Sequence, residues 1–205
     1  MTAPPRRELP REVRIIGGQW KRSKLHVADL PGLRPTPDRV RETLFNWLGQ
    51  NLGGWRVLDA FAGSGALGFE AASRGATEVL LLERDTELVD SLKATQQRLK
   101  GSAALRIERA DALAWMARHA AATFELVFLD PPFGAGLVDA ALAAAVPLLV
   151  PGGFIYLEAP EPFAAVPPGL RLHRQARAGA VHFQLLQREG YTAPAAPDAS
   201  RRPAP

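Results

Sequence analysis

The sequence predicts an α/β fold: a mostly parallel seven-stranded sheet with helices on both faces, preceded by a small β-hairpin and helix. Three observations predict it. From Arg56 onward, apolar strand-like runs alternate with stretches of helical periodicity, the pattern of parallel strands joined by crossover helices. A glycine turn, Gly63-Ser64-Gly65, follows the first of these strands. The last two apolar segments have no helix between them, so they close the sheet as an antiparallel hairpin.

The elements follow in order. Residues 1–11 are rich in Pro and Arg and form a flexible N-terminus. Val13-Arg14-Ile15-Ile16 and Lys24-Leu25-His26-Val27 read as two short strands around Gly17-Gly18. Residues 30–36 form a loop. Thr36-Pro37 reads as a helix start, with a hydroxyl cap and proline at the first helical position. Val40, Leu44, Trp47 and Leu48 then recur at helical spacing, and the helix ends near Asn51–Gly54. Strands are expected at 56–60, 78–83, 104–108, 124–129 and 152–158, then at 170–176 and 181–187. Helices are expected at 66–74, 85–99, 111–119 and 136–146. The segments group as 12–54, a basic hairpin and helix, and 55–190, the sheet domain. A Pro/Ala-rich tail at 191–205 is expected to be disordered.

Composition sets the limits. A 205-residue chain that is 47% hydrophobic supports one full core with extensions. No apolar run approaches the ~20 residues of a membrane span. No apolar run follows Met1-Thr2-Ala3-Pro4-Pro5-Arg6-Arg7, so a secretory signal is not expected and the protein reads as cytoplasmic. The absence of cysteine excludes disulfides, thiolate zinc sites and cysteine nucleophiles. His26, His119, His173 and His182 show no ligand spacing, so no metal site is read. Nothing demands more than a monomer.

Charge is uneven. Net charge is +4, yet residues 1–41 hold ten Lys/Arg against four Asp/Glu, leaving fifteen against seventeen in the rest. A basic N-terminal segment on a near-neutral body points to a polyanion such as RNA. Arg14, Lys21, Arg22 and Lys24 decorate the expected hairpin. Trp20 among them either stacks on an RNA base or packs the hairpin.

The chemistry sits at strand ends. Gly63-x-Gly65-x-x-Gly68 with Glu83 some 20 residues on matches the dinucleotide fingerprint, which alone permits a nicotinamide-dependent dehydrogenase. Asp59 argues against it. A carboxylate at the tip of the strand is poorly placed for pyrophosphate, which wants neutral N–H donors. It suits a cation such as the sulfonium and amino-acid moiety of S-adenosylmethionine. Glu83 could take both ribose hydroxyls. Asp111 could accept from an adenine amino group, cap a helix, or do both.

The run Phe124–Leu129 ends in Asp130-Pro131-Pro132-Phe133. Two prolines make a stiff turn where open α/β sheets place ligands. Asp130 and the Pro131 carbonyl present acceptors only, and Phe133 offers a stacking face. That set suits an exocyclic amino group: hydrogen bonds to acceptors localise the nitrogen lone pair and aim it at a methyl group. The base must leave its stack to be reached. The lack of cysteine rules out carbon-5 pyrimidine methylation through a covalent adduct. Guanine, with two neighbouring donors, matches a carboxylate better than adenine does, although the Pro131 carbonyl could serve adenine too.

Together these motifs resemble a class I S-adenosylmethionine-dependent methyltransferase (Rossmann-like) of the amino-group type. Arg14-Ile15-Ile16-Gly17-Gly18, Arg34-Pro35-Thr36 and Asp38-Arg39-Val40-Arg41-Glu42-Thr43-Leu44-Phe45-Asn46-Trp47-Leu48 closely resemble the RsmD family, over about residues 13 to 188. That resemblance implies a methyltransferase acting on guanine N2 of 16S rRNA, within a small-subunit particle during ribosome biogenesis. It implies that Asp130, Pro131, Pro132 and Phe133 catalyse. It implies that Asp59, Ala60, Phe61, Gly63, Ser64, Gly65, Glu83, Arg84, Asp111 and Ala112 hold the cofactor. It also implies that Arg34, Thr36 and Arg39 border the site and join the hairpin cations in RNA binding. Gly17 and Pro37 depart from the residues commoner in that family, and neither touches the chemistry. Adenine-N6 methylation and an RNA-binding assembly factor with a vestigial cofactor site remain the competing readings.

Overall fold

The structure is a computed structural model and describes residues 12–27, 36–100, 102–119, 121–132, 136–161, 166–179 and 181–190. The expected flexible N-terminus, the Pro/Ala-rich tail, Arg34 and Phe133 lie outside the described residues.

Strands β1 (Glu12–Arg14) and β2 (Lys24–His26) pair antiparallel, with Arg14 opposite Lys24. Helix α1 spans Asp38–Leu48. Then come β3 (Arg56–Asp59), α2 (Ala66–Ser73), β4 (Glu78–Glu83), α3 (Thr86–Arg98), β5 (Leu105–Arg109), α4 (Ala112–Arg118), β6 (Phe124–Leu129), α5 (Val138–Ala145) and β7 (Leu149–Ala159). The chain closes with β8 (Leu170–Ala178) and β9 (Val181–Arg188).

The seven-stranded sheet has the order β5-β4-β3-β6-β7-β9-β8. Strands β3 to β7 run parallel, and β9 pairs antiparallel with both β7 and β8, as the missing helix predicts. Chain order reverses between β3 and β6: β3 leads outward to β4 on one side and pairs with β6 on the other. The carboxyl ends of these strands therefore splay into a crevice, the ligand position of open α/β sheets.

Side-chain alternation divides each strand between two cores. Val57, Val79, Leu81, Leu126 and Phe128 face α1, α2, α3 and the hairpin. Leu58, Leu80, Leu82, Val127 and Leu129 face α4 and α5. Burial on both faces is why β6 reads as an unbroken apolar run rather than an alternating one.

The N-terminal segment shares this core. Val13, Ile15, Trp20, Leu25 and Val27 join Val40, Leu44 and Phe45 in the same cluster as the sheet. Trp20 is buried and its indole N–H donates to the Lys100 carbonyl at 2.7 Å, so the packing alternative holds and base stacking does not. Trp47 stacks on Phe183 of β9 at 5.3 Å.

The first helix differs from the sequence expectation at both ends. α1 stops at Leu48 because Gly49 takes φ 91°, a left-handed geometry that suits glycine and ends the helix before Asn51. At its start, Pro37 rather than Thr36 occupies the cap position, with no side-chain cap bond.

Candidate active site

A cavity of about 510 Å³ opens at the carboxyl ends of β3, β4, β5 and β6. Its size lies in the ~300–1,000 Å³ range of small-molecule sites. Asp59, Glu83, Asp111 and Asp130 reach it from four successive strand ends, so one wall after another carries a carboxylate.

Asp59 is 2% exposed. One oxygen accepts from the Gly68 N–H at 2.9 Å, the first turn of α2. Burial, opposed by that bond and aided by the charge of Glu83, pushes its carboxyl up to about 7. A cation placed beside it would restore the ionised form. Gly68 is what lets the helix come this close: a Cβ there would meet Asp59 Oδ2 and Leu81 at 3.0 Å.

Glu83 is half-buried and organises the glycine turn. Its Oε2 accepts from the Gly63 N–H at 2.9 Å, and its Oε1 accepts from Arg84 and Asp85 at 2.8 and 2.9 Å. Asp111 caps α4 through Oδ1, which accepts from Ala114 N–H at 2.9 Å. Its other oxygen takes no part in that bond, so the capping reading and a ligand-facing one coexist at one residue.

Of the ten residues expected to hold a cofactor, nine line the cavity. Gly65 does not. It takes φ 77° at the start of α2, and a Cβ there would strike Leu92 and Phe69 at 2.6 Å. Its role in the fold is to let the turn pack on the core. The lining combines a helix-capping turn, three acidic strand ends and apolar Phe61, Leu82, Leu88 and Leu113. This donor set fits S-adenosylmethionine: carboxylates for its cationic and hydroxyl groups, apolar faces for its adenine.

Asp130, Pro131 and Pro132 line the opposite end of the same cavity, with Leu137. Asp130 is partly exposed to the cleft. Burial, with Glu158 and Asp59 nearby, holds its carboxyl well above the usual range, with the polar Thr36 side chain opposing the shift.

Thr36 is buried and lines the cavity together with Asp130. Its carbonyl accepts from Arg41 Nε at 3.2 Å.

Beneath this lies a buried charge network that sequence reasoning missed. Arg41 is fully buried; it pairs with Glu70 at 3.2 Å and with Asp38 at 2.6 Å. Glu70, also fully buried, accepts from Arg74 at 2.8 Å and from the backbone N–H groups of Ile16 and Gly17 at 2.8 Å each. Arg74 lies 4.6 Å over the Phe45 ring. A charge at helical spacing in a polar-looking helix gives no sign of such burial. Glu158 did have a signal: it is an acidic residue closing an apolar strand run, one residue before the end of β7.

The residues expected to bind RNA divide into two places. Arg39 is exposed on the first turn of α1, next to Thr36 at the cavity. Arg14, Lys21, Arg22 and Lys24 are exposed on the hairpin, with Arg22 held at φ 74° in its turn. The hairpin is tied to the far ends of α2 and α3: Gln19 and Trp20 bond to Ser73, and Arg98 Nη2 donates to the Lys24 carbonyl at 2.7 Å. The cavity lies at the amino ends of those helices. Eight and thirteen residues at 1.5 Å per residue put roughly 12–20 Å between them. Lys24 also pairs with Glu12 at 2.7 Å.

Comparison with known proteins adds the following. Residues 13–187 match the model of the family described as conserved hypothetical protein 95. Ribosomal RNA small subunit methyltransferase D of Escherichia coli strain K12 is 42% identical over 186 residues, covering 87% of this chain and 91% of the relative. The Haemophilus influenzae protein of that name is 40% identical, covering 86% and 94%. A solved Escherichia coli structure, named for a methyltransferase yhhF, superimposes with a TM-score of 0.78 at 39% identity, covering 87% of this chain and 98% of that one.

Proposed function

The chain belongs to the conserved hypothetical protein 95 family, the RsmD family, and has the class I methyltransferase fold; from that premise we propose that it methylates the exocyclic N2 of a guanine in 16S rRNA. The observation that carries the proposal is Asp130 at the end of β6, in one cavity with the acidic strand ends of β3 and β4.

S-adenosylmethionine, when bound, supplies an electrophilic methyl group on a sulfonium. Asp59 would hold its cationic end, Glu83 its ribose and Asp111 its adenine. Ala60, Phe61, Gly63, Ser64, Arg84 and Ala112 complete that wall. Asp130 and the Pro131 carbonyl accept hydrogen bonds from the guanine N1–H and N2–H groups, which fixes the base and turns the N2 lone pair toward the methyl. The pull of Pro131 and Pro132 on the backbone keeps those acceptors rigid. Phe133 is the stacking face of this reading. Little chemistry beyond positioning is needed.

In this reading residues 12–54 contact RNA and residues 55–190 carry the transfer. Arg39 and Arg34 meet the strand near the flipped base. Arg14, Lys21, Arg22 and Lys24 meet phosphates farther along, which adds affinity without sequence information. The enzyme works as a cytoplasmic monomer on a small-subunit particle during ribosome assembly.

The test is transfer of labelled methyl to ribosomal subunits and to naked rRNA from cells lacking this protein, followed by identification of the nucleoside. N2-methylguanosine, with subunits the better acceptor, is expected. N6-methyladenosine would overturn the choice of base. No label, with S-adenosylmethionine still bound, would leave an RNA-binding assembly factor.

A further inference from the structure

We propose that the edge strand β8, through Arg171, Arg174 and Arg177, is a second RNA-binding surface, which holds substrate phosphates on the side of the cavity away from the N-terminal hairpin. The inference rests on the RNA methyl-transfer reading above and deepens it by naming where the other flank of the RNA lies.

Charge is the first observation. The near-neutral body of the chain is itself divided. Residues 42–169 hold nine Lys/Arg against fifteen Asp/Glu. Residues 170–188, the β8–β9 hairpin, hold four arginines, two histidines and no acidic residue. Arg171, Arg174 and Arg177 are exposed. Among the described residues none of the three pairs with a carboxylate, although Lys24, Arg56 and Arg106 each do. Their partners are neutral: Arg171 donates to Gln187 Oε1 at 2.5 Å, Arg174 to the His173 carbonyl at 2.9 Å and Arg177 to the Gly179 carbonyl at 2.7 Å. Uncompensated positive charge therefore faces solvent along one strand. The fourth arginine, Arg188, is half-buried and donates to the Leu149 carbonyl, so it stands apart from this row.

Position is the second. Strand β8 lies at the opposite edge of the sheet from β5. The N-terminal hairpin is tied to α3, which packs on β4 and β5. The two basic surfaces thus stand on opposite sides of the cavity. Leu129 and Leu157 are register partners, so Asp130 lies level with Glu158. Glu158 is opposite Phe183, and Phe183 is opposite Ala176. Arg177 comes next along β8, at the cavity edge of the sheet. Three strand spacings of about 4.8 Å put it roughly 14 Å from Asp130. That is about four nucleotides at the ~3.4 Å rise of a stacked strand. Arg174 and Arg171 continue the row away from that edge. The β9 partners of the three are His182, Leu185 and Gln187, a span of roughly 17 Å.

Chemistry selects the partner. The cavity wall carries Asp59, Glu83, Asp111 and Asp130, which repel a phosphate backbone. A strand that delivers its base there must be gripped to either side. Arginine offers a planar fork to phosphate oxygens. Charge on an edge strand also guards a sheet against pairing with another chain, and either sign serves that purpose. On β8 every charge is positive, which guarding does not require and a polyanion does.

The test is filter binding of naked 16S rRNA at a series of salt concentrations, beside co-sedimentation with small subunits. The full-length protein carries Arg171→Gln, Arg174→Gln and Arg177→Gln together. Each phosphate contact contributes about 0.7–0.9 to the slope of log affinity against log salt. The slope is expected to fall by ~2, and affinity at about 0.15 M salt by at least ~10-fold. S-adenosylmethionine affinity stays within about two-fold and reports that the variant is folded. Arg171→Glu, Arg174→Glu and Arg177→Glu together still guard the edge and are expected to weaken RNA binding further. Arg171→Lys, Arg174→Lys and Arg177→Lys together are expected to restore the slope. These charged variants cover the case in which the glutamine variant self-associates. A folded glutamine variant with wild-type slope and affinity overturns the proposal. So does one that binds naked rRNA normally and small subunits poorly, which would make the surface a ribosomal-protein contact. Absence of methyl transfer by the unaltered protein overturns the reading above instead, since the binding assay needs no turnover.

Discussion

Arg41 donates from Nε to the carbonyl of Thr36 at 3.2 Å, and Thr36 lines the same cavity as Asp130. A fully buried guanidinium thereby fixes a residue of the cavity wall. Arg41 is in turn held by Glu70, whose carboxylate also receives the Ile16 and Gly17 N–H groups. One buried cluster ties the hairpin, α1, α2 and the cavity together.

Glu70→Gln leaves Arg41 and Arg74 buried without a full counter-charge. Breaking such a pair on one side costs about 3–5 kcal/mol. Urea unfolding at neutral pH is expected to show a loss of that size. A loss below ~1 kcal/mol, the scale of exposed pairs, would mean that water enters the cluster and that it does not hold Thr36 in place.

Asp130→Ala is expected to abolish methyl transfer while leaving S-adenosylmethionine affinity within a few-fold. The reason is position: Asp130 lines the end of the cavity opposite Glu83 and Asp111. Calorimetry and single-turnover assays separate the two effects. Surviving turnover would refute the amino-group mechanism, and lost binding would place Asp130 in the cofactor pocket.

Much of this arrangement was legible in the chain. Strand–helix alternation located β3 to β7, with β4 and β6 legible as apolar runs because both their faces are buried, and β8 and β9 followed from two segments with no helix between them. The acidic strand ends were legible for the same reason: a charge terminating an apolar run has to sit at an edge. Thr36 was misread: a hydroxyl before proline satisfies the local rule for a helix cap, yet Pro37 takes the cap position and Thr36 lies buried in the cavity wall. Arg41, Glu70 and Arg74 were invisible because their burial depends on meeting each other from distant segments. Trp20 admitted two readings until the carbonyl of Lys100 appeared beside its indole.

Asp59 makes cofactor binding depend on pH. Its carboxyl is raised to about 7 by burial, far above the ordinary 3.8. The folded protein therefore binds more protons here than the unfolded chain. The contribution of Asp59 to stability is favourable at low pH and is lost as pH rises from about 4 through 7. A cationic ligand wants the ionised form. S-adenosylmethionine affinity should rise with pH up to about 7, by as much as ~10-fold per unit, and then level off. Binding below pH 7 should release a proton, visible in calorimetry in buffers of different ionisation enthalpy. Asp59→Asn should weaken binding and flatten the curve. A flat curve in the wild type would place the cation away from Asp59.

The hairpin cations and Arg39 make different predictions because they sit in different places. Lys21 and Arg22 are exposed about one helix length from the cavity, at the far ends of α2 and α3. Each phosphate contact contributes about 0.7–0.9 to the slope of log affinity against log salt. Replacing both by Ala should lower that slope by ~1–2 and weaken RNA binding, with the rate at saturating RNA unchanged. Lys24 shares its charge with Glu12 at 2.7 Å, so its removal should matter less than that of either neighbour. Arg39 stands three residues from Thr36, and Arg39→Ala should lower the rate at saturating RNA as well. Filter binding of a 16S fragment at a series of salt concentrations, beside single-turnover transfer, reads both. An unchanged slope in Lys21/Arg22→Ala would move the phosphate track off the hairpin, toward the exposed arginines Arg171, Arg174 and Arg177 of edge strand β8.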